Sequence, residues 1–260
     1  MKNAVITLTT DFGLQDNYAG IIKGIISYLN PAARIIDISC DVPPFNVEAG
    51  SYILRTSYLD FPPGTIHLAI VDPGVGTKRR AILLETEDYF FLAPDNGVLS
   101  FLTQRQLRKV IALTNKKYFL KEISPTFHGR DIFAPVAAYL SLGISADEFG
   151  PKLKSINRPT PVPNTELKGI LIGHLIYIDR FGNLVTSFRQ SELPDANFVV
   201  FLNDDKIGRL CKTFGSVREG SSLCYINSFG YLEIGINRGS AAEHFDIGYS
   251  SNAKILIAPS

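Results

Sequence analysis

The hydrophobic and polar positions of the chain follow two different patterns, one before about residue 155 and one after residue 168. In the first part, short apolar runs at 4–9, 34–38 and 65–71 predict buried strands. Between them, apolar positions recur at helical spacing over 17–29 and 47–58, which predicts two helices. The resulting strand–helix–strand–helix–strand order is typical of an α/β domain with a mostly parallel central sheet and right-handed crossovers.

The remainder of the first part continues this α/β pattern. Apolar runs at 81–84 and 89–92 predict a pair of strands, and Asp95-Asn96-Gly97 predicts a turn that starts a short helix. A further helix is predicted at 132–142. We therefore expect residues 1–155 to form an α/β N-terminal domain.

Prolines and short alternating runs distinguish the second part of the chain. Pro151, Pro159, Pro161 and Pro163 lie close together, and proline cannot continue a helix or a central strand, so 156–167 is predicted to be an extended linker. Beyond it, Gly, Asn and Asp separate the candidate strands, which lie at 169–178, 198–202, 222–226, 231–236 and 253–257. This pattern predicts a smaller all-β barrel or sandwich over 168–260.

Composition narrows the possible function classes. With 45% hydrophobic and 20% charged residues, the chain has the composition of an ordinary globular protein in water. Its 26 basic and 25 acidic side chains give a net charge of +1 without a basic block, which argues against nucleic acid as a partner. No apolar run reaches the length of a membrane span, and the N-terminus lacks the layout of a signal peptide. We expect a cytoplasmic protein with no membrane partner.

Polar residues follow the predicted strand at 65–71. Asp72 comes directly after this strand, Gly74 and Gly76 allow the backbone to turn sharply, and Arg79 follows the turn. In open α/β sheets, ligands bind outside the carboxyl ends of the strands. An Asp at such an end with an Arg nearby therefore predicts a ligand site.

Three further turns carry candidate groups, and each also has a purely structural explanation. Asp11 lies in the turn after the first strand, with Asp16 nearby, and could simply cap a turn or helix. His128 precedes the helix at 132–142 and could be a satisfied histidine without a ligand. The segment 179–183 contains Asp, Gly and Asn, so a hairpin turn would explain it. Residue spacing alone leaves these alternatives open.

The sequence does not predict a metal or phosphate site. The segment GVGTKR lacks the GxxxxGK[ST] spacing of a phosphate-binding loop. The acidic and histidine candidates have neither HxxxH nor DxD spacing, and an arginine beside them would oppose a cation. The cysteines also lack CxxC spacing, which argues against a zinc site or a disulfide framework; they are Cys40, Cys211 and Cys224. A metal-dependent nucleotide hydrolase is a further alternative, which sensitivity of the activity to a chelator would reveal.

Five motifs, taken in their order along the chain, resemble one family. They are TTDFG followed by Asp16, VDPGVGTKRR, FHGRD, YIDRFGN and INSFGYLEIGIN. This order resembles the S-adenosyl-L-methionine (SAM) hydroxide adenosyltransferases, relatives of the SAM-dependent fluorinase and chlorinase, over essentially the whole chain. The resemblance implies an α/β N-terminal domain, a β-barrel C-terminal domain, and a homotrimer with active sites at subunit interfaces. It also implies hydrolysis of SAM, without a cofactor, to adenosine and L-methionine by an activated water or hydroxide that attacks the ribose C5′.

The resemblance implies site residues as well. Asp72, Arg79 and His128 match the triad around the attacking water, although the sequence leaves open whether Asp72 or His128 accepts the proton. The halogenases carry Tyr where this chain has Asp72, and the fluorinase has Ser at the position of Gly129, so both positions point toward water. The positions that match substrate contacts are Asp11, Asp16, Phe45, Gly129, Asp179, Phe181, Asn183, Ser228, Glu233 and Ile236.

Two departures from the family pattern concern the methionine carboxylate. Phe229 and Ile236 stand where the fluorinase has arginines, so the donor that holds this carboxylate is left open. Two alternative functions also remain at this stage. One is a SAM-dependent halogenase that forms 5′-halo-adenosine, and the other is a non-catalytic adenosine- or SAM-binding protein.

Overall fold

The computed structural model of the chain describes residues 4–159, 163–195, 197–249 and 251–260, and the chain divides into two compact units, 1–159 and 160–260. The linker predicted at 156–167 includes residues 160–162, which lie outside the described residues. Within the same predicted segment, Thr165–Leu167 forms a short strand.

The first unit contains an α/β arrangement of strands and helices. Its strands among the described residues are β1 Val5–Thr10, β2 Arg34–Ser39, β3 Ile66–Ile70, β4 Ala81–Glu85, β5 Phe90–Pro94 and β6 Lys109–Ala112. Its α-helices among these residues are α1 Tyr18–Leu29, α2 Val47–Ser57 and α3 Ala134–Ser141. The elements predicted before β4 are confirmed, and their bounds agree with the sequence pattern to within one or two residues.

The sheet of the first unit is mixed, so a mostly parallel sheet is not confirmed. Its strand order is β2-β1-β3-β5-β4-β6, in which β1 pairs in parallel with β2 and β3, and β3 pairs in parallel with β5. The pairings of β4 with β5 and β6 are antiparallel. A tight connection, closed by the bond from the Thr86 N–H to the Tyr89 carbonyl (2.9 Å), links β4 to β5 and forces this hairpin pairing.

The central strands are buried because hydrophobic clusters lie on both faces of the sheet. One cluster joins α1 and α3 to the sheet through Ile22, Val136 and Ile6. The other cluster includes Leu54 of α2 and Phe91 of β5. These side chains are fully buried, and each such burial stabilises the fold by roughly 1.5–3 kcal/mol. The two clusters fix the carboxyl ends of β1 and β3 side by side.

Three features of the first unit differ from the sequence prediction. The turn at Asp95 does not start a helix, and β6 was missed because so short a run has no recognisable period. The helix predicted at 132–142 begins with a π-helical turn at Gly129–Phe133 before α3. Pro135 has no N–H to offer to the Asp131 carbonyl, which instead accepts the Leu120 N–H at 2.9 Å.

The second unit is a nearly closed antiparallel barrel. Its described elements are β7 Thr165–Leu167, β8 Ile170–Ile178, β9 Leu184–Arg189, β10 Phe198–Leu202, β11 Asp205–Gly208, β12 Ser222–Ile226, β13 Tyr231–Ile236, the short helix α4 Ala241–His244, and β14 Lys254–Pro259. The strand order is β11-β10-β14-β8-β9-β13-β12, with β7 beside β8. A bridge between Leu210 and Cys224 links the two ends of this order. The five predicted strands are present, whereas β7, β9 and β11 were missed.

Two further properties follow from the described part of the chain. None of its helices is long and apolar enough to cross a membrane. All three cysteines are free, and Cys40 and Cys224 are buried.

A buried histidine, His67 of β3, packs in an aromatic cage within the core. Its ring stacks on Phe91 at 5.0 Å between centroids and lies near Tyr58, Phe61 and Tyr89, and its Nδ1 is 2.8 Å from the Thr7 hydroxyl oxygen. Burial lowers the pKa of His67 from its ordinary value of 6.5 to about 3. The ring is therefore neutral in the folded protein at physiological pH.

The buried His67 should make the fold sensitive to acid. Its pKa is lower in the folded than in the unfolded chain, so the unfolded chain binds more protons and stability falls as pH drops below about 6.5. We expect the loss of unfolding free energy between pH 7 and pH 5 to be smaller by about 2 kcal/mol in His67→Phe than in the wild type. Urea unfolding at both pH values measures this. Tyr58→Phe changes the same cage without removing the imidazole and is the control; an unchanged pH dependence in His67→Phe would contradict the prediction.

Candidate active site

A cavity of about 340 Å³ lies in the first unit, where the chain leaves β1 and β3. Because these strands are neighbours and run in parallel, the turns that follow them meet at one edge of the sheet. Residues 126–129, at the start of the helical segment that leads into α3, line a third side of the cavity. The lining residues include Asp11, Phe12, Tyr18, Phe45, Asp72 and His128.

The loop at 71–80, called here the Asp72–Arg79 loop, folds back on itself and brings its two charged residues together. The Arg79 Nε donates to both carboxylate oxygens of Asp72 at 3.0 and 2.9 Å, and Arg79 Nη2 also contacts Oδ2. The two side chains are only 10% and 7% exposed for Arg79 and Asp72, respectively. Charge-assisted bonds of this multiplicity are strong and fix the relative geometry of both groups.

The Asp72–Arg79 loop closes through two tight turns, and the second of them needs glycine. The Val75 N–H donates to the Asp72 carbonyl and the Thr77 N–H donates to the Gly74 carbonyl, each at 3.2 Å. Gly76 has a φ of +76°, and a Cβ added there would lie 2.2 Å from the carbonyl oxygen of Pro125. The loop therefore packs directly against the segment that leads to His128.

His128 forms a hydrogen bond with the same guanidinium group. Arg79 Nη2 lies 2.8 Å from His128 Nδ1, and since a guanidinium only donates, Nδ1 is the acceptor. A neutral ring then carries its proton on Nε2. Burial, followed by the positive charge of Arg79, lowers the pKa of His128 below its ordinary value, while Asp72 opposes this shift. Arg79 also lies over the Phe133 ring, 5.7 Å from its centroid.

Asp11 holds the loop that carries Phe45. Its Oδ2 accepts the Phe45 N–H at 2.9 Å, and Phe45 has a φ of +64°, an uncommon conformation for a bulky residue. Burial raises the pKa of Asp11 above its ordinary value, and the nearby Asp72 adds to this effect. The Phe45 side chain is 72% exposed, so this strained residue offers an aromatic face at the rim of the cavity.

Aromatic residues that sequence reasoning missed form one wall of the cavity. Phe12, Tyr18 and Phe127 contact one another edge-on or tilted, with centroids 5.2–5.9 Å apart. Gly129 lies beside them, and a Cβ there would come within 3.2 Å of Ile22 and 3.4 Å of Phe12. The residue at this position therefore has to be small. Only the order of the elements in space, and no local pattern, would have identified this wall.

Other charged residues near these motifs lie outside the cavity. Asp16 is exposed and is not among the lining residues. Arg80 forms an ion pair with the buried Asp95, and Arg130 forms one with the buried Asp131, so both arginines are engaged in structural contacts. In the described part of the chain, no group of three or more His, Cys, Asp or Glu side chains is placed to hold a metal ion.

In the second unit, Asp179 lies in the hairpin turn between β8 and β9. Its Oδ1 accepts the N–H groups of Phe181 (2.9 Å) and Asn183 (2.8 Å), and its Oδ2 accepts Asn183 Nδ2 at 2.9 Å. This is the hairpin-turn arrangement that the sequence left open. Asn183 is buried, whereas Phe181 is 78% exposed and leaves a large apolar surface unoccupied within the unit.

The predicted residues around Glu233 have different environments. Glu233 is buried in β13 and accepts hydrogen bonds from the Tyr225 hydroxyl and from Asn227 Nδ2, the latter at 2.7 Å. Burial raises the pKa of Glu233, and its two donors oppose this effect. Ser228 is exposed in the turn after β12, and Ile236 is part of the barrel core.

Comparison with known proteins agrees with this architecture. The model of the SAM hydroxide adenosyltransferase N-terminal domain matches residues 6–150, and that of the C-terminal domain matches residues 173–254. An (R)-S-adenosyl-L-methionine hydrolase from Salinispora tropica is 36% identical over 92% of both chains, and one from Methanocaldococcus jannaschii is 32% identical over 97% of this chain and 95% of its own. A fluorinase from Actinoplanes sp. is more distant, at 26% identity over 94% and 95% of the two chains.

A solved structure is similar to this chain. An uncharacterized conserved protein from Thermotoga maritima superposes with a TM-score of 0.86 at 36% identity, covering 98% of this chain and 99% of that one.

Gly76→Ala should destabilise the protein more than Gly220→Ala, a substitution at a glycine with nearly the same positive φ. Gly220 has a φ of +78° with open space around it, so Gly220→Ala is expected to cost only the left-handed backbone strain of roughly 1–2 kcal/mol. Gly76→Ala adds a collision with the Pro125 carbonyl to the same strain. Chemical unfolding of both variants measures the difference; equal losses would show that the loop does not pack against Pro125 as described.

Proposed function

The chain belongs to the SAM hydroxide adenosyltransferase family, and we propose that it hydrolyses SAM to adenosine and L-methionine. One observation carries the proposal: a single guanidinium, that of Arg79, holds both a carboxylate and an imidazole at the edge of a cavity. Asp72 and His128 are lining residues of that cavity, so a water molecule placed there can meet both. The curated relatives are named as hydrolases of the (R) form of SAM, which supports the same substrate for this chain.

The proposed reaction is a displacement at the ribose C5′. The oxygen of water forms a bond to C5′ as the bond between C5′ and the sulfonium sulfur breaks, and that electron pair leaves with the sulfur as a neutral thioether. One proton of the water is released. Because the leaving group needs no acid, the demand on the protein is to align the water opposite the carbon–sulfur bond and to accept its proton.

We assign proton acceptance to Asp72. With His128 Nδ1 engaged as an acceptor from Arg79, the neutral ring has only an N–H at Nε2, which can donate to the water oxygen and orient it. Asp72 retains acceptor capacity, because a carboxylate has about four lone-pair directions and not all are directed at Arg79. Arg79 stabilises hydroxide character on the water by its positive charge.

The hydrogen-bonding groups of the site disfavour the halogenase alternative. The Asp72 carboxylate only accepts hydrogen bonds, so it can accept one from a water molecule but has no donor to offer a halide at the same position. Gly129 supplies no side-chain hydroxyl that could donate to a halide. These features do not bear on the alternative of a binding protein without turnover. That alternative is distinguished from the hydrolase by whether product forms.

The remaining expectations belong to the same proposal. We place the ribose near Asp11 and Phe45, and we assign substrate contacts to Asp16, Gly129, Asp179, Phe181, Asn183, Ser228, Glu233 and Ile236 by family resemblance. The proposed protein is a cytoplasmic homotrimer with active sites at subunit interfaces, acting on SAM without a cofactor. The exposed aromatic rings of Phe181 and Phe229 are consistent with cover by a further molecule.

Incubation with SAM in ¹⁸O-labelled water tests the reaction. We expect adenosine with the label on its 5′ oxygen, together with methionine. Asp72→Asn should lower the rate of adenosine release by about 10²–10⁴-fold, since it removes the proton acceptor, while adenosine affinity stays close to that of the wild type. Asp37→Asn is a matched control, because Asp37 also forms an ion pair, with Lys23, but lies outside the cavity. Formation of 5′-halo-adenosine without adenosine would instead identify a halogenase, and adenosine binding without product would identify a binding protein.

The rate should also fall at acidic pH. Protonation of His128 would place two cations face to face and break its bond to Arg79, and the lowered pKa of His128 keeps this step below pH 6.5. We expect kcat/KM to rise with pH through the His128 ionisation and then to level off. His128→Gln should have a lower rate and should lose this acidic step. An identical pH profile for the variant would exclude His128 as its origin.

A further inference from the structure

The Asp72–Arg79 loop crosses the end of β5, a strand that lies between the two strands that the loop connects. It leaves β3 and enters β4, yet the order in the sheet is β3-β5-β4. Its two ends are therefore separated by two strand spacings, roughly 10 Å. Asp95 and Asn96 directly follow β5, so the fold places them between the two ends of the loop.

Asn96 binds the first end of the loop. Its Nδ2 donates to the carbonyl of Val71 at 2.7 Å, the residue directly before Asp72. Its Oδ1 accepts the N–H of Val98 at 3.2 Å, which fixes the side-chain rotamer. Val71 is fully buried, so a lost hydrogen bond at its carbonyl is not easily replaced by water.

Asp95 binds the second end. Its Oδ2 accepts Arg80 Nε at 2.7 Å and also contacts Nη2, and its backbone N–H donates to the Arg80 carbonyl at 2.9 Å. Arg80 is the residue directly after Arg79. The Asp95 side chain is 3% exposed, and its Oδ1 is satisfied by the Asn157 N–H at 2.7 Å. A buried carboxylate with this set of partners has little freedom to move.

We propose that Asp95 and Asn96 are positioning residues for the hydrolysis, holding both ends of the Asp72–Arg79 loop at a fixed separation. The inference rests on the proposed function. Neither residue lines the cavity, so each acts through its neighbour in the loop: Asn96 through Val71 on Asp72, and Asp95 through Arg80 on Arg79. If one end moves, the Asp72 carboxylate and the Arg79 guanidinium move relative to His128. Water alignment depends on that geometry.

The test is Asn96→Ala beside Asn115→Ala. Asn115 makes the same pair of bonds, from Nδ2 to the Glu148 carbonyl at 2.7 Å and from the Lys117 N–H to Oδ1 at 3.2 Å, but it holds a segment away from the loop. Because a displacement of about 1 Å can cost on the order of 10² in rate, we expect Asn96→Ala to lower kcat by about 10- to 100-fold with little change in KM for SAM. Asn115→Ala should keep the wild-type kcat. Thermal unfolding of both variants shows whether a loss of fold contributes.

Arg80→Lys tests the second end of the loop and decides the matter if Asn96→Ala does not fold. Lysine keeps a positive charge beside Asp95 but lacks the planar pair of donors, so the carboxylate stays neutralised while the geometry loosens. We expect the same loss of kcat with KM retained. A wild-type kcat in folded Asn96→Ala or Arg80→Lys, or an equal loss in Asn115→Ala, would overturn the proposal.

A second measurement does not depend on SAM. Side-chain NMR of the histidines reports the titration of His128, with His128→Gln to assign its signal. When the second end of the loop is released and Arg79 withdraws from Nδ1, the pKa of His128 should rise toward its ordinary value in Arg80→Lys and not in Asn115→Ala. Absence of adenosine formation by the wild type would reject the hydrolase function alone, whereas an unchanged His128 titration would reject the positioning role.

Discussion

The site depends on one cation shared between two acceptors. The Arg79 guanidinium is nearly buried and directs its donors at the Asp72 carboxylate and at the neutral His128 ring. Because the site is largely shielded from solvent, the Asp72 carboxylate requires this partner: a buried anion without a counterion is destabilising. Burial, together with this contact, lowers the pKa of His128, and the contact fixes which ring nitrogen carries the proton. Geometry, charge and protonation state of the three residues are thus set together.

The fold brings these three groups together by packing one loop against two neighbours. At Gly76 the Asp72–Arg79 loop packs against the carbonyl of Pro125, three residues before His128, so the loop is in direct contact with the histidine segment. The histidine segment is itself held by Asp131, whose carboxylate accepts the Ser124 N–H at 2.7 Å and whose carbonyl accepts that of Leu120. The buried Asp131 is thus satisfied in part by backbone N–H groups of the segment that leads to His128.

Part of this arrangement could be predicted from the sequence and part could not. An apolar run followed by Asp72, two glycines and Arg79 predicted a ligand site at a strand end, because all of these residues are close together in the sequence. The position of β5 between β3 and β4 was not predictable, since it depends on the hairpin folding back to pair with β3. For that reason Asp95 and Asn96 appeared only as turn residues. The aromatic wall of Phe12, Tyr18 and Phe127 was missed on the same grounds, because its members come from the turn after β1, the start of α1 and the segment before His128.

The balance of charge also bears on how the site can accept SAM, whose sulfonium is positive. An arginine alone beside C5′ would repel such a substrate, yet the site needs a cation to favour hydroxide character on water. Pairing Arg79 with Asp72 resolves this conflict, because the pair is neutral overall while its guanidinium still faces His128. Asp11 then adds negative charge at the same cavity. The proposed nucleophile can therefore be activated without excluding the cationic substrate.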